Sequence, residues 1–245
     1  MRQTRRAMDT QIPNPEAPNP QVPVVQKLRV RYAKRGRLRF TSHRDFARAF
    51  ERAVRRAGIP IGFSSGFSPH PKISYANAAP TGSASEAEFL EIGLTEPREP
   101  SEVMRVLDDA LPPGLDIVDV VVADTSGSLA DRLEASAWRI ELAGADPAQL
   151  ASAVAAFLAA EDVSVERMTK RGLRAIDVRG AVVDLTADGD AVTAVVRSTI
   201  PTVRPDDIVT GLRAQGLDHA GSPVAQRLQQ GPLLGDSNVG DPLRD

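Results

Sequence analysis

The 245-residue sequence is 42% hydrophobic, enough to build one large domain or two small ones, and its 30 Lys and Arg nearly balance 32 Asp and Glu. The absence of cysteine excludes disulfides, thiolate metal sites, iron–sulfur clusters held by this chain and cysteine nucleophiles. No apolar run approaches the roughly 20 residues needed to cross a bilayer, and the arginines near the start are followed by no apolar h-region, so a soluble cytoplasmic protein without membrane contact is expected.

Residues 1–26 hold five prolines and few bulky apolar groups, which predicts a disordered tail. In KLRVRYAKRGRLRF, Leu28, Val30 and Tyr32 alternate with Arg29 and Arg31. Past Gly36, Leu38 and Phe40 alternate with Arg37 and Arg39. This is strand periodicity with one apolar and one basic face. Ser42 then opens an amphipathic helix in the manner of a capping box with Asp45. Phe46, Ala49, Phe50, Ala53 and Ala57 share one face, and Arg44, Arg48, Arg52 and Arg55 the opposite one, until Gly58 and Pro60 stop it. A short strand over 59–63, a long aperiodic connection, a strand over 89–94, a helix from Ser101 to about Ala110 and a strand over 117–122 complete a β-α-β-β-α-β order.

Residues 123–136 are predicted to be a polar linker. The order then recurs: a strand through Trp138, Ile140 and Leu142, a helix opened by Asp146-Pro147, strand-like runs over 163–168 and 174–179, a hairpin pairing 181–186 with 192–198, and a helix to about Gln215. The chain beyond, rich in Gly, Pro, Asp and Gln, predicts a second disordered tail over 216–245. The expected fold is α+β: two ferredoxin-like units, a basic one over 27–122 and an acidic one over 137–215.

The near-neutral total hides an asymmetry. Residues 27–75 carry thirteen Lys and Arg against only Asp45 and Glu51, and eight of the ten aromatic residues other than histidine lie between Tyr32 and Phe89. Cations release counterions from phosphates and aromatic faces stack on bases, so this segment is a candidate RNA-binding region, its cations being Arg29, Arg31, Arg37, Arg39, Arg44, Arg48, Arg52, Arg55 and Lys72. A ferredoxin-like sheet leaves one face free for such contacts. Tyr32, Phe40, Phe46 and Phe50 sit on apolar faces and are expected in the core. Glu86, Glu88 and Glu91 are expected at the surface or as partners of the basic segment.

The connection contains Ser64, Ser65, Gly66, Phe67, Ser68, Pro69, His70, Pro71 and Lys72. Its prolines restrict the backbone, and its serine hydroxyls, His70 and Lys72 suit an anion. His43 stands at the start of the arginine helix, where free N–H groups favour anions. His43 and His70 are therefore candidates for an acid–base pair, weighed against hydrogen-bonding roles that hold the loop. No metal site and no cofactor is expected.

KRGRLRFTSHRDFARAFERAVRRAGIPIGFSSGFSPHPKIS, followed by Gly82, Ser85, Glu88 and Phe89, resembles the radical-SAM-linked proteins, a family of unknown function, and KRGLRAIDVR resembles that family's later motif. The resemblance implies a radical S-adenosylmethionine protein as partner, and a genomic neighbourhood near an RNA-processing ribonuclease. It brings no catalytic residues. Because a radical S-adenosylmethionine enzyme needs three cysteines, this chain is expected to be an accessory. The function expected is a non-catalytic protein that binds tRNA or rRNA. The rivals are an RNA-processing enzyme using His43 and His70, and a protein-interaction module alone.

Overall fold

The computed structural model describes residues 22–123, 127–169, 172–235 and 237–244. It contains four α-helices and a large mixed sheet. The Pro-rich head falls largely on residues 1–21, outside the described residues. From Val25, whose N–H donates to the Leu94 carbonyl (2.8 Å), the chain is tied to the sheet.

In the first half, β1 (Gln26–Lys34) leads through a 3-10 turn, Gly36–Phe40, to α1 (His43–Arg56). The strands β2 (Ile73–Ala76) and β3 (Ala84–Leu94), the helix α2 (Pro100–Ala110) and the strand β4 (Leu115–Val122) follow. β1 pairs antiparallel with both β4 and β3, and β2 pairs antiparallel with β3. The Ser42 Oγ accepts the Asp45 N–H at 3.2 Å and caps α1, and the left-handed Gly58 (φ 65°) ends that turn of chain. One face of the sheet (Leu28, Val30, Leu90, Ile92) packs on Phe46 and Phe50 of α1 and Val103 and Leu107 of α2. The Tyr32 and Phe46 rings stack 4.1 Å apart within this core.

The second half begins with β5 (Ala135–Glu141) and α3 (Pro147–Ala159). A hairpin of β6 (Ser164–Thr169) and β7 (Gly172–Asp177) precedes β8 (Val182–Asp188), β9 (Ala191–Arg197) and α4 (Pro205–Ala214). After α4 come β10 (Val224–Gly231) and the short strands β11 (Leu233–Leu234) and β12 (Asn238–Val239). The strands run β10-β5-β9-β8, each pair antiparallel, with Ile140, Leu150, Phe157, Val192 and Leu212 in the core beneath α3 and α4.

Several expectations are corrected. The 216–245 segment is not a disordered tail: its strand β10 pairs with β5 and, in parallel, with the first residues of β3 (Gln226↔Ala84, Arg227↔Ser85). The two halves therefore share one sheet, β4-β1-β3-β10-β5-β9-β8. The linker expected over 123–136 buries Leu129 and Leu133 against Phe89 and Ala87, on the sheet face opposite the helices. That face is thus not free. Gly36–Phe40 is a 3-10 turn rather than a strand, and Phe40 is exposed rather than in the core. Residues 59–63 make only isolated bridges, Ile61↔Leu94 and Phe63↔Pro71, while β2 lies within the connection expected to be aperiodic.

Candidate nucleic-acid interface

The cations on and just after β1 find partners within the chain. Arg29, expected at the surface, is 1% exposed. It stands opposite Glu91 in the β1–β3 ladder, donates through Nη2 to the Gly127 carbonyl (2.9 Å), and places Nε 3.5 Å from Glu91 Oε2. Arg31 is half-buried and donates to the Glu86 carbonyl at 2.8 Å. Arg35 binds Glu86 and Asp116, each through a contact of 2.8 Å. Lys27 lies 3.3 Å from Glu91. The strand glutamates are, as anticipated for partners of the basic segment, what these cations meet.

The helix cations are not consumed in this way. Arg44, Arg48, Arg52 and Arg55 are all exposed on α1. Arg55 lies 3.8 Å from Glu51 Oε2, and among the described residues no ion pair engages Arg44, Arg48 or Arg52. At 1.5 Å per residue the stripe runs about 16 Å. The 3-10 turn extends it: Arg37 is exposed, and the Arg39 guanidinium lies 4.7 Å over the exposed Phe40 ring.

The loop closes on itself. The Ser64 N–H donates to the His70 carbonyl at 2.8 Å, and the His70 N–H to Ser64 Oγ at 3.0 Å. Lys72 is exposed, its backbone pinned to Gly62 and Gly93. Ser65, Gly66 and Ser68 are exposed around Phe67, which is fully in solvent at the loop tip. His70 lines a cleft of about 250 Å³ with Glu51, Val54 and Arg55, near the end of α1. His43 is the first residue of that helix, edge-on to Tyr75 with ring centroids 5.0 Å apart. The helix separates His43 from Arg55 by about 18 Å, and His43 and His70 share no hydrogen bond or ring contact. Among the described residues no group of three or more His, Asp and Glu is placed to hold a metal ion.

A second polar centre, unforeseen in the sequence, lies where the halves meet. Lys34, Ser85, Arg227 and Trp138 occupy one transverse row across β1, β3, β10 and β5. Arg227 Nη1 donates to Glu88 Oε1 (3.1 Å) and to the Asn77 carbonyl (2.8 Å), and its guanidinium lies 4.9 Å over the Trp138 ring. Glu88 also accepts the Ala79 N–H at 3.0 Å. Burial pulls the Lys34 ammonium below its ordinary pKa against the pull of Glu88, with Arg227 reinforcing the drop. Burial, with Glu88 and Tyr75, pushes the Tyr32 hydroxyl well up. Beside this row opens a cleft of about 510 Å³, whose lining includes Asn77, Ser136, Trp138, Arg197, Arg204, Asp206, Arg227 and Gln230. Glu88 and Arg227 lie 139 positions apart, and Arg227 falls in the segment expected to be a disordered tail, so nothing local in the sequence points to this centre.

Among the described residues no helix is long and apolar enough to cross a membrane. Residues 27–205 match the family model described as "Uncharacterized protein conserved in bacteria (DUF2344)". No curated protein matches the chain. A solved structure described as that of an unknown protein from Galdieria sulphuraria is similar at 17% identity over 82% of this chain and 98% of its own, with a TM-score of 0.26.

Proposed function

From the premise that the chain belongs to this family of uncharacterized proteins conserved in bacteria, we propose that it is a non-catalytic accessory protein that binds RNA along α1 and the 3-10 turn before it. The observation that carries this is the exposed stripe of Arg44, Arg48, Arg52 and Arg55, in which among the described residues Arg55 alone has an acidic partner, Glu51, while Glu91 pairs with Lys27 and Arg29 of β1, and Glu86 and Asp116 with Arg35 just after it. A protein that needed those arginines only for solubility could have paired them as it pairs the others. A stripe with three such unpaired arginines instead attracts polyanions and gains counterion entropy on binding them. The exposed Phe40 beside Arg39, and Phe67 at the loop tip, offer flat apolar faces for unpaired bases.

On this reading the scaffold is two ferredoxin-like β-α-β-β-α-β units. The order β4-β1-β3, with β2 on the far side of β3, supports the first, and the order β10-β5-β9-β8 the second, with the β6–β7 hairpin inserted after α3. The RNA surface is then the outside of a helix, not the open sheet face such units commonly offer, because residues 127–133 cover that face. The radical S-adenosylmethionine protein implied by the resemblance is the proposed protein partner, and any cluster chemistry would belong to it. The test is RNA affinity measured over a range of salt for the full chain and for a triple Arg44→Glu, Arg48→Glu, Arg52→Glu variant. Strong salt dependence in the wild type, largely lost in the variant, is expected. No binding by the wild type at low salt would sink the proposal. Turnover of RNA by the purified chain would move it to the enzyme reading.

A further inference from the structure

The row of buried charge at the junction does not balance. Lys34 and Arg227 are each 5% exposed and share the single carboxylate of Glu88, itself 2% exposed. Glu88 is engaged by Arg227 and by the Ala79 N–H, and Lys34 Nζ reaches the Pro80 carbonyl at a long 3.5 Å. A surplus positive charge in a low-dielectric interior is costly unless a proton leaves or an anion arrives. Two atoms beside the surplus have no hydrogen-bond partner: the donor Arg227 Nε, which an anion would satisfy, and the acceptor Gln230 Oε1, which calls for a donor such as a ligand hydroxyl. Both residues are more than nine-tenths buried, and both line the 510 Å³ cleft.

The rest of the lining fits the same chemistry. Arg197 and Arg204 add two exposed cations against the single acid Asp206, and Ser136 and Thr202 add hydroxyls. The volume is in the range of small-ligand sites. A neighbouring groove shares Pro80, Thr81, Pro205 and Asp206 with the cleft and ends on Arg39 and Phe40, at the edge of the basic surface.

We propose that this cleft binds a phosphate monoester, with Arg227 as its anchored guanidinium and Arg204 and Arg197 as its rim. A guanidinium held by Glu88, the Asn77 carbonyl and the Trp138 ring is preorganised, and its planar fork suits phosphate oxygens. The monoester belongs either to a free mononucleotide or to the phosphorylated end of an RNA strand led along the neighbouring groove. The site does not depend on the α1 stripe.

The experiment is isothermal calorimetry on the full chain with inorganic phosphate, a nucleoside monophosphate, and one short single-stranded RNA with and without a 5′-phosphate. Gln230→Glu, nearly isosteric, sets a carboxylate beside Arg227 and should weaken monophosphate binding by at least about tenfold through charge repulsion. Arg204→Ala should weaken it less. The triple α1 variant should bind the monophosphate as the wild type does. A preference for 5′-phosphorylated RNA over the free monophosphate assigns the site to strand ends, and the reverse to mononucleotides. A folded wild type that binds neither phosphate nor monophosphate and does not distinguish the two RNAs overturns the proposal, as does undiminished binding by Gln230→Glu. RNA affinity that depends on α1 while the monophosphate fails to bind would leave the function proposed above standing and this one refuted.

Discussion

Glu88 is the residue on which the junction depends. Among the described residues its carboxylate is the one buried anion facing Arg227 and Lys34, so removing its charge strands two cations in the interior. Glu88→Gln should therefore destabilise the protein by about 3–5 kcal/mol, the usual cost of breaking a buried pair from one side. The loss should be partly recovered by adding Arg227→Met, a non-additivity that urea unfolding of the two single variants and the double would read out. Lys34 tests the same imbalance from the other side. Its folded-state pKa is depressed by burial, so between that value and the unfolded one the folded chain holds fewer protons than the unfolded chain. Stability contributed at this position thus rises with pH through that window, and the penalty of the buried ammonium is fully present below it. Lys34→Met should raise stability near neutral pH by about 1 kcal/mol. That advantage should shrink as pH climbs toward about 10.4, the ordinary lysine value. Unfolding midpoints at neutral and alkaline pH check both statements, and a gain that grows with pH would contradict them.

At the scale of elements, what could be read from sequence was what is encoded locally. The helix α1 has its Ser42 cap, its apolar period and its Gly58 stop within seventeen residues. The alternation of Leu28, Val30 and Tyr32 marks β1 equally well. What covers the other face of β1 is not encoded there: an alternating apolar and basic pattern looks the same whether its arginines meet water or, like Arg29, meet Gly127 and Glu91. The alternation of Leu38 and Phe40 was too short to tell a strand from a 3-10 turn. The strand β10, VAQRLQQG, is polar by composition because its buried Arg227 and Gln230 are satisfied in part by Glu88 and the Ala87 carbonyl in the other half, so hydrophobicity does not reveal it. The candidate site divided similarly. The α1 arginines were legible, while the junction cleft, drawn from β5, β9, α4, β10 and the chain after β2, was not. The position of β10 gives an element-scale prediction. A chain ending at Gln215 removes a strand flanked on both sides, uncovers β5 and the start of β3, and deletes the partner of Glu88. It should show no cooperative thermal transition by circular dichroism. A chain ending at Gly231 keeps β10 and loses the packing of Val239 and Leu243 on the back of the sheet. It should still unfold cooperatively, with a lower midpoint. Equal stability of the two truncations would mean that β10 does not carry the sheet.

At the scale of the whole molecule, the proposed RNA binding turns on which charges are left over after folding. The chain carries thirteen basic residues between 27 and 75, but folding engages Lys27, Arg29 and Arg31 of β1 with Glu91 and backbone carbonyls, and Arg35 after it with Glu86 and Asp116. The field that an approaching polyanion meets is set by α1, the 3-10 turn and Lys72. Residue counts alone therefore overstate the binding surface, and two groups of arginines that look alike in sequence should behave differently. If Arg44, Arg48, Arg52 and Arg55 each displace one counterion from single-stranded RNA, replacing all four by Ala should flatten the slope of log affinity against log salt by about 3. Arg31→Ala should leave that slope unchanged, because its guanidinium is held by the Glu86 carbonyl. Arg29→Ala should likewise leave the slope alone while lowering thermal stability, since it opens a void beneath the covering segment and leaves Glu91 with Lys27 as its ion-pair partner. His43→Ala, at the start of the helix, and His70→Ala, in the cleft beside Glu51 and Arg55, should change neither the slope nor the overall affinity by more than a small factor. Filter-binding or anisotropy titrations at four or more salt concentrations, with melting curves for each variant, separate these cases. A slope that falls as much for Arg29→Ala and Arg31→Ala as for the helix variant would mean that the back of the sheet opens to bind RNA. An unchanged slope in the helix variant would remove α1 from the interface altogether.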